Sequence, residues 1–200
     1  MTRLIVGPFN RVEGDLEVKL DLDGDVVAEA RVVSPLYRGF EQILRGKDPS
    51  DALVYAPRIC GICSVSQSAA SASALAQAQG ISAIPPNGVL SRNLILATEN
   101  VADHLTHFYL FFMPDFARDI YAGMPWHANI AERFRALKGI ALQEMLPARA
   151  QFMHILGLMA GKWPHTLTLQ PGGSTKSIEA QEKARLAALL HTFRTFLERT

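Results

Sequence analysis

Apolar and polar residues first alternate one by one and then recur with a helical period, and that switch organises the chain. Leu16-Glu17-Val18-Lys19-Leu20 alternates apolar with charged side chains, as a strand with one covered face does. Asp23-Gly24 offers a hairpin turn, Val26 to Val33 reads as the returning strand, and Pro35 closes the unit. From Tyr37 onward helical spacing dominates. Phe40, Ile43 and Leu44 share a face of a short helix, which Asp48-Pro49-Ser50-Asp51 stops while offering caps for the next segment. Ser64 to Gln79 is rich in Ala and Ser and predicts a helix that packs closely on its neighbours, with Gly80 just past its end. Pro85-Pro86-Asn87 is a connector. A long helix is expected from about Val89 to Met113, broken by Pro114.

Beyond it, Asp115 to Trp126 is less regular, Ala141 to Gly157 predicts a helix, and Gly161 to Gly173 a loop. The last segment sets Leu186, Leu189, Leu190, Phe193 and Leu197 on one stripe and is still helical in pattern at Thr200. The fold class implied is α+β, mostly helical with a small N-terminal antiparallel β unit. Residues 1–35 form the β unit and 36–200 the helical part, and with no stop signal at the end the whole reads as one incomplete domain.

Composition excludes more than it selects. Apolar residues make up 48% and charged residues 20%, ordinary for a soluble globular chain, and the net charge of +1 advertises neither a nucleic acid nor a membrane surface. No apolar run approaches the ~20 residues of a spanning helix, and the cluster from Phe108 to Met113 reads as core. Arg11, Glu13, Asp15, Glu17 and Lys19 leave no room for a secretory signal, so the cytoplasm is the expected location.

The two cysteines stand three apart, in Arg58-Ile59-Cys60-Gly61-Ile62-Cys63. That spacing suits a pair of buried thiols, a redox dithiol activated by the helix beyond it, or ligands of a soft metal. A zinc site needs four ligands, and no second cysteine pair or closely spaced histidine pair follows. Elsewhere, Glu13 reads as a solvated charge beside Arg11, and Glu41 as the polar face of a short helix. Asp103, His104 and His107 fall within about one helical turn, the pattern of a hydrogen-bonded core. Glu99 and Asp103, four apart, would suit a carboxylate-bridged di-iron helix, but its Glu-x-x-His is missing. Trp163-Pro164-His165 fits a loop of structural hydrogen bonds.

Taken in order, Arg11-Val12-Glu13-Gly14, Arg38-Gly39-Phe40-Glu41, Asp48-Pro49, the Cys60–Cys63 segment and Asp103-His104-Leu105-Thr106-His107-Phe108-Tyr109 resemble the nickel–iron hydrogenase large subunit, over essentially the whole chain. The resemblance implies a nickel–iron centre held by four thiolates, with carbon monoxide and cyanide on the iron. Cys60 would be a terminal nickel ligand and Cys63 a bridge to iron; the second cysteine pair of the family, near its far C-terminus, is absent from this sequence. It further implies that Glu13 passes protons from a terminal cysteine toward solvent, that Glu41 binds magnesium, and that Asp103 lies above the metals facing an arginine from the missing part. His104 and His107 would be structural, and Trp163-Pro164-His165 with Pro171-Gly172-Gly173 would form a loop near the small subunit.

Departures mark a subtype. Turnover hydrogenases usually carry histidine four residues after the second cysteine, where this chain has Gln67; Asp15, where the family usually has histidine after its Glu-Gly, lies at that motif's edge and leaves the assignment to Glu13 but not to its neighbours. Hydrogen-sensing regulatory members share that glutamine and tend to bulky residues where the gas channel narrows, at the positions of Ile62 and Phe111. The expected function is heterolytic cleavage of dihydrogen to protons and electrons, used for sensing. Its partners would be a small subunit with iron–sulfur clusters and a histidine kinase. An energy-conserving uptake hydrogenase, and a non-catalytic thiol-metal or helical interaction protein, are the alternatives.

Overall fold

A computed structural model describes residues 2–9 and 15–199. Two compact units divide the chain, residues 1–43 and 44–200.

In the first unit, β1 (Thr2–Val6), β2 (Glu17–Asp23) and β3 (Val26–Val33) form an antiparallel meander with β2 in the centre. Asp23 pairs with Val26, so the two-residue turn is Gly24-Asp25, one position later than Asp23-Gly24; Gly24 takes the left-handed conformation, φ +61°, that such a turn requires. Register between β1 and β2 is pinned where Arg3 faces Asp21: the guanidinium donates two bonds to the carboxylate, 2.8 and 3.0 Å. No strand side chain of this unit is buried among the described residues. A short helix, α1 (Phe40–Ile43), ends the unit.

The second unit is helical. Asp48 caps a 3-10 turn (Pro49–Asp51) by accepting from the Ser50 N–H at 2.8 Å, and α2 (Ala52–Tyr55) and a second 3-10 turn (Ala56–Arg58) follow. These lead into the cysteine segment and α3 (Ser64–Ala78). At its far end Gly80 takes φ +70°, and the Ile81 N–H closes back on the Ala76 carbonyl, which stops the helix as expected.

The long helix differs from expectation at both ends. α4 (Pro86–Thr106) begins at Pro86, where the missing N–H does no harm because the first turn has no acceptor for it. Pro114 does not simply break the helix. Residues His107–Phe112 widen into a π-helical stretch, in which the Met113 N–H reaches five residues back to the Phe108 carbonyl, and α5 (Met113–Phe116) continues through the proline. The wider turn relieves the clash between the proline ring and the carbonyl four residues earlier.

α6 (His127–Phe134), which the periodicity did not reveal, precedes α7 (Ala141–Ala160). Within the expected loop, β4 (Leu169–Gln170) and β5 (Gly173–Ser174) make a minimal hairpin around Pro171-Gly172, and α8 (Ala180–Arg199) completes the described chain. α7 is the hub and packs on both α4 and α8. Its Met145, Ile155 and Leu156 are fully buried, and the Phe152 ring stacks on Phe193 of α8 with centroids 4.0 Å apart. Burying each such side chain contributes about 1.5–3 kcal/mol. α3 buries Ser64, Ser68, Ser71 and Ala72 in place of large residues, which lets its backbone approach its neighbours closely.

Candidate metal centre

Cys63 stands at the N-cap of α3, and its backbone N–H donates to Cys60 Sγ at 3.5 Å, so the segment curls into a knuckle that sets the two sulfurs side by side. Both thiols are free and half-buried. One turn into α3, Gln67 Nε2 donates to Cys63 Sγ at 3.7 Å. Burial first, then the neighbouring Cys60 thiol, pushes the Cys63 thiol above its ordinary range, while the Gln67 amide works against them. A metal binding there must therefore displace a firmly held proton.

A cysteine is a poor helix cap, and Cys63 makes no side-chain cap bond, so the first N–H groups of α3 need another acceptor. Glu99 of α4 provides it. Only 2% exposed, its carboxylate accepts from the Val65 N–H at 2.9 Å and the Ser66 N–H at 3.0 Å, and from the Ser64 and Ser66 hydroxyls at 3.3 and 3.4 Å. A fifth donor is the Trp163 indole N–H, at 2.8 Å. Five donors offset the several kcal/mol that burying a carboxylate costs, and the anion lies where the helix dipole favours it.

Trp163 belongs to the loop that leaves α7 at Gly161. The Thr166 hydroxyl donates to the Ala160 carbonyl at 2.7 Å and anchors that loop to the end of α7. His165 then reaches both sides of the cysteine segment: its backbone N–H donates to Ser64 Oγ at 3.2 Å, and its Nδ1 lies 2.9 Å from the Pro57 carbonyl oxygen. On the outer side of Trp163, the Arg149 guanidinium sits 5.5 Å from the ring centroid and donates to Thr106 Oγ1 at 2.8 Å. The loop expected to hold structural hydrogen bonds does so, and it holds them on the cysteine segment.

Of the residues singled out from the sequence, Cys60, Cys63 and Gln67 come together. Asp103 is exposed on α4, four residues beyond Glu99, and His104 and His107 are exposed as well. Glu41 is exposed on α1 in the other unit. Glu13 lies outside the described residues. Ile62 and Phe111 are both exposed. Glu99, read from the sequence only as a conceivable di-iron ligand, instead caps α3. Two thiols fit half of a four-thiolate site; among the described residues no cluster of three or more His, Cys, Asp or Glu side chains could hold a metal ion.

The family profile for nickel-dependent hydrogenase matches residues 38–133, which include both cysteines, Gln67 and Glu99. The large subunit of the periplasmic [NiFeSe] hydrogenase of Desulfomicrobium baculatum is 30% identical across 98% of the chain. This chain belongs to the nickel-dependent hydrogenase family. It spans about 40% of that relative's length. The uptake hydrogenase large subunit of Bradyrhizobium diazoefficiens is 39% identical over 108 residues, covering 54% of this chain and 18% of its own. Among solved structures, the Ni-Fe-Se hydrogenase of D. vulgaris Hildenborough in the as-isolated oxidized state superposes with a TM-score of 0.79 at 30% identity, over 98% of this chain and 42% of that one. The mostly helical architecture with a small antiparallel sheet is thus part of the hydrogenase large-subunit fold. No helix among the described residues is long and apolar enough to cross a membrane.

Proposed function

We propose that this chain forms part of a subunit that cleaves dihydrogen heterolytically to protons and electrons, with Cys60 and Cys63 as thiolate donors to its nickel–iron centre. The observation that carries the reading is the side-by-side pair of free thiols at the start of α3, within the residues the hydrogenase profile matches. Thiolates are soft, electron-rich donors suited to nickel and iron. A nickel–iron centre, when bound, supplies the open coordination position at which dihydrogen is polarised and split. Cys60 would hold the nickel as a terminal ligand and could accept a proton, and Cys63, held by Gln67, would be the ligand shared with the iron. Glu13 would relay the proton from Cys60 outward, Glu41 would contribute to a magnesium site, and Asp103 would face the metals. Carbon monoxide and cyanide complete the iron, and a small subunit with iron–sulfur clusters takes the electrons.

The test is metal analysis of the purified full-length complex. Nickel and iron should be present together, and Cys60→Ala and Cys63→Ala should each abolish nickel retention. Stoichiometric nickel with full hydrogen-dependent dye reduction in either variant would sink the ligand assignment; zinc alone would favour a non-catalytic thiol-metal protein.

Within this reading we propose a sensing role, signalling through a histidine kinase in the cytoplasm. Its support is Gln67, whose amide donates to Cys63 and, unlike histidine, cannot titrate. An uptake role is favoured instead by the likeness to the Bradyrhizobium uptake enzyme. Gln67→His separates them: altered turnover or signalling with the metals retained supports the sensing role, and a variant indistinguishable from the parent removes its mechanistic basis.

A further inference from the structure

We infer that Glu99 is a positioning residue for the metal centre: through the first turn of α3 it fixes where the Cys63 and Gln67 side chains point. The inference rests on the proposed role of Cys63 as a ligand. Its own support is geometric. The direction of Cys63 depends on the backbone that follows it, and the two N–H groups immediately beyond Ser64, those of Val65 and Ser66, are held one by each oxygen of the same carboxylate. That two-point hold fixes the rotation of the first turn about the helix axis as well as its distance from α4. Gln67, one residue further on, inherits the rotation and so meets Cys63 Sγ.

The carboxylate is held rigid in turn. Ser64 Oγ both donates to Glu99 and accepts from the His165 N–H, and Trp163 donates to Glu99 from the same loop, so α3, α4 and the loop after α7 meet at this one side chain. An amide at position 99 keeps one acceptor oxygen but turns an NH2 group toward donors on the other side. N–H would face N–H, and one of the two holds on the first turn would be lost. Groups that orient metal ligands from behind typically matter 10- to 100-fold in metal affinity or activity.

The experiment uses the full-length subunit in complex with its small subunit and follows nickel release into a chelator, the nickel paramagnetic resonance g values and the melting temperature. Glu99→Gln should release nickel roughly 10- to 100-fold faster and shift the g values. Thr98→Val is the control for a general disturbance of α4, because among the described residues the buried Thr98 hydroxyl bonds only its own helix, at the Leu94 carbonyl. It should lower the melting temperature without changing the g values. Release in both variants that merely follows the loss of melting temperature, with unchanged g values, overturns the inference. Should Glu99→Gln fail to assemble, Glu99→Asp decides: it keeps the charge but is too short to span both N–H groups. Faster release than the parent then supports the positioning role, and release equal to the parent overturns it. A parent complex without nickel refutes the functional reading and the inference together, whereas a nickel-bearing parent matched by its Glu99 variants refutes the inference alone.

Discussion

Trp163→Phe removes one N–H from the hydrogen-bond set around Glu99 and keeps an aromatic ring beside Arg149. The lost bond, indole to carboxylate at 2.8 Å, is among the shortest Glu99 accepts. A hydrogen bond to a charged group contributes about 1.5–3 kcal/mol. The same oxygen retains the Val65 N–H and the Ser64 hydroxyl, so the carboxylate is not orphaned, and the figure belongs in the lower half of that range. Phenylalanine is a weaker partner than tryptophan for the Arg149 cation, which adds a few tenths of a kcal/mol by the usual scale of exposed cation–π pairs. The sum is about 2 kcal/mol, or roughly a 30-fold larger opening constant where 1.4 kcal/mol is tenfold. Amide hydrogen exchange read by mass spectrometry in the full-length subunit is the assay. Peptides containing Val65 and Ser66 should exchange about 30-fold faster, while those from α8, which shares no bond with this set, should keep the parent rate. Unchanged protection at Val65 and Ser66 would refute the role of the indole as a brace of α3. So would a uniform loss across the molecule, which would report global destabilisation instead.

Replacing Pro114 by Ala restores an N–H that can donate to the Leu110 carbonyl and removes the ring clash, so the π stretch at His107–Phe112 should tighten to α geometry. A crystal structure of the variant should show Phe116 turned away from Trp126, whose ring centroid it now approaches at 6.3 Å; a retained π stretch would show that tertiary packing, not proline, holds it open. The Asp48 carboxyl is held below the usual aspartate range by the Ser50 hydroxyl and N–H. Its folded pKa being depressed, its stabilising effect is present above the ordinary value of about 4 and is lost as the pH falls through the lower folded value. The Ser50 amide resonance should therefore titrate with a midpoint below about 4 and stay flat in Asp48→Asn; a midpoint at or above the ordinary value contradicts the cap. Glu13→Gln should retain nickel and iron but suppress hydrogen–deuterium exchange catalysed by the complex, with Glu13→Asp intermediate; equal exchange in parent and Gln variant removes Glu13 from the proton path.

Local preference determined much of this chain. The hairpin into the β3 strand at Val26–Val33, the cap at Asp48 and the stop at Gly80 rest on bonds between residues close in sequence and stand as the sequence implies; α8 forms as its period implies, but the face it buries holds Leu186, Phe193 and Phe196, while Leu190 and Leu197 of the expected stripe are exposed. The Cys60–Cys63 knuckle is local too, and the order of motifs around it was enough to indicate the family. What only the tertiary structure decided is the function of residues whose partners are distant. Glu99 bonds Val65 across 34 positions and Trp163 across 64, so no window of sequence contains its environment. One signal pointed to it: Glu99 lies in the Ile95, Thr98, Glu99, Ala102 stripe that α4 buries; that α3 is capped at Cys63, and not by the adjacent Ser64, is seen only in the structure. An uncapped helix start needs an acceptor, and a glutamate on a buried stripe needs donors. Sequence states the second need alone; the first, and that the two answer each other, is decided by the packing of α3 against α4, because a buried carboxylate and unpaired N–H groups are each too costly to leave unmatched.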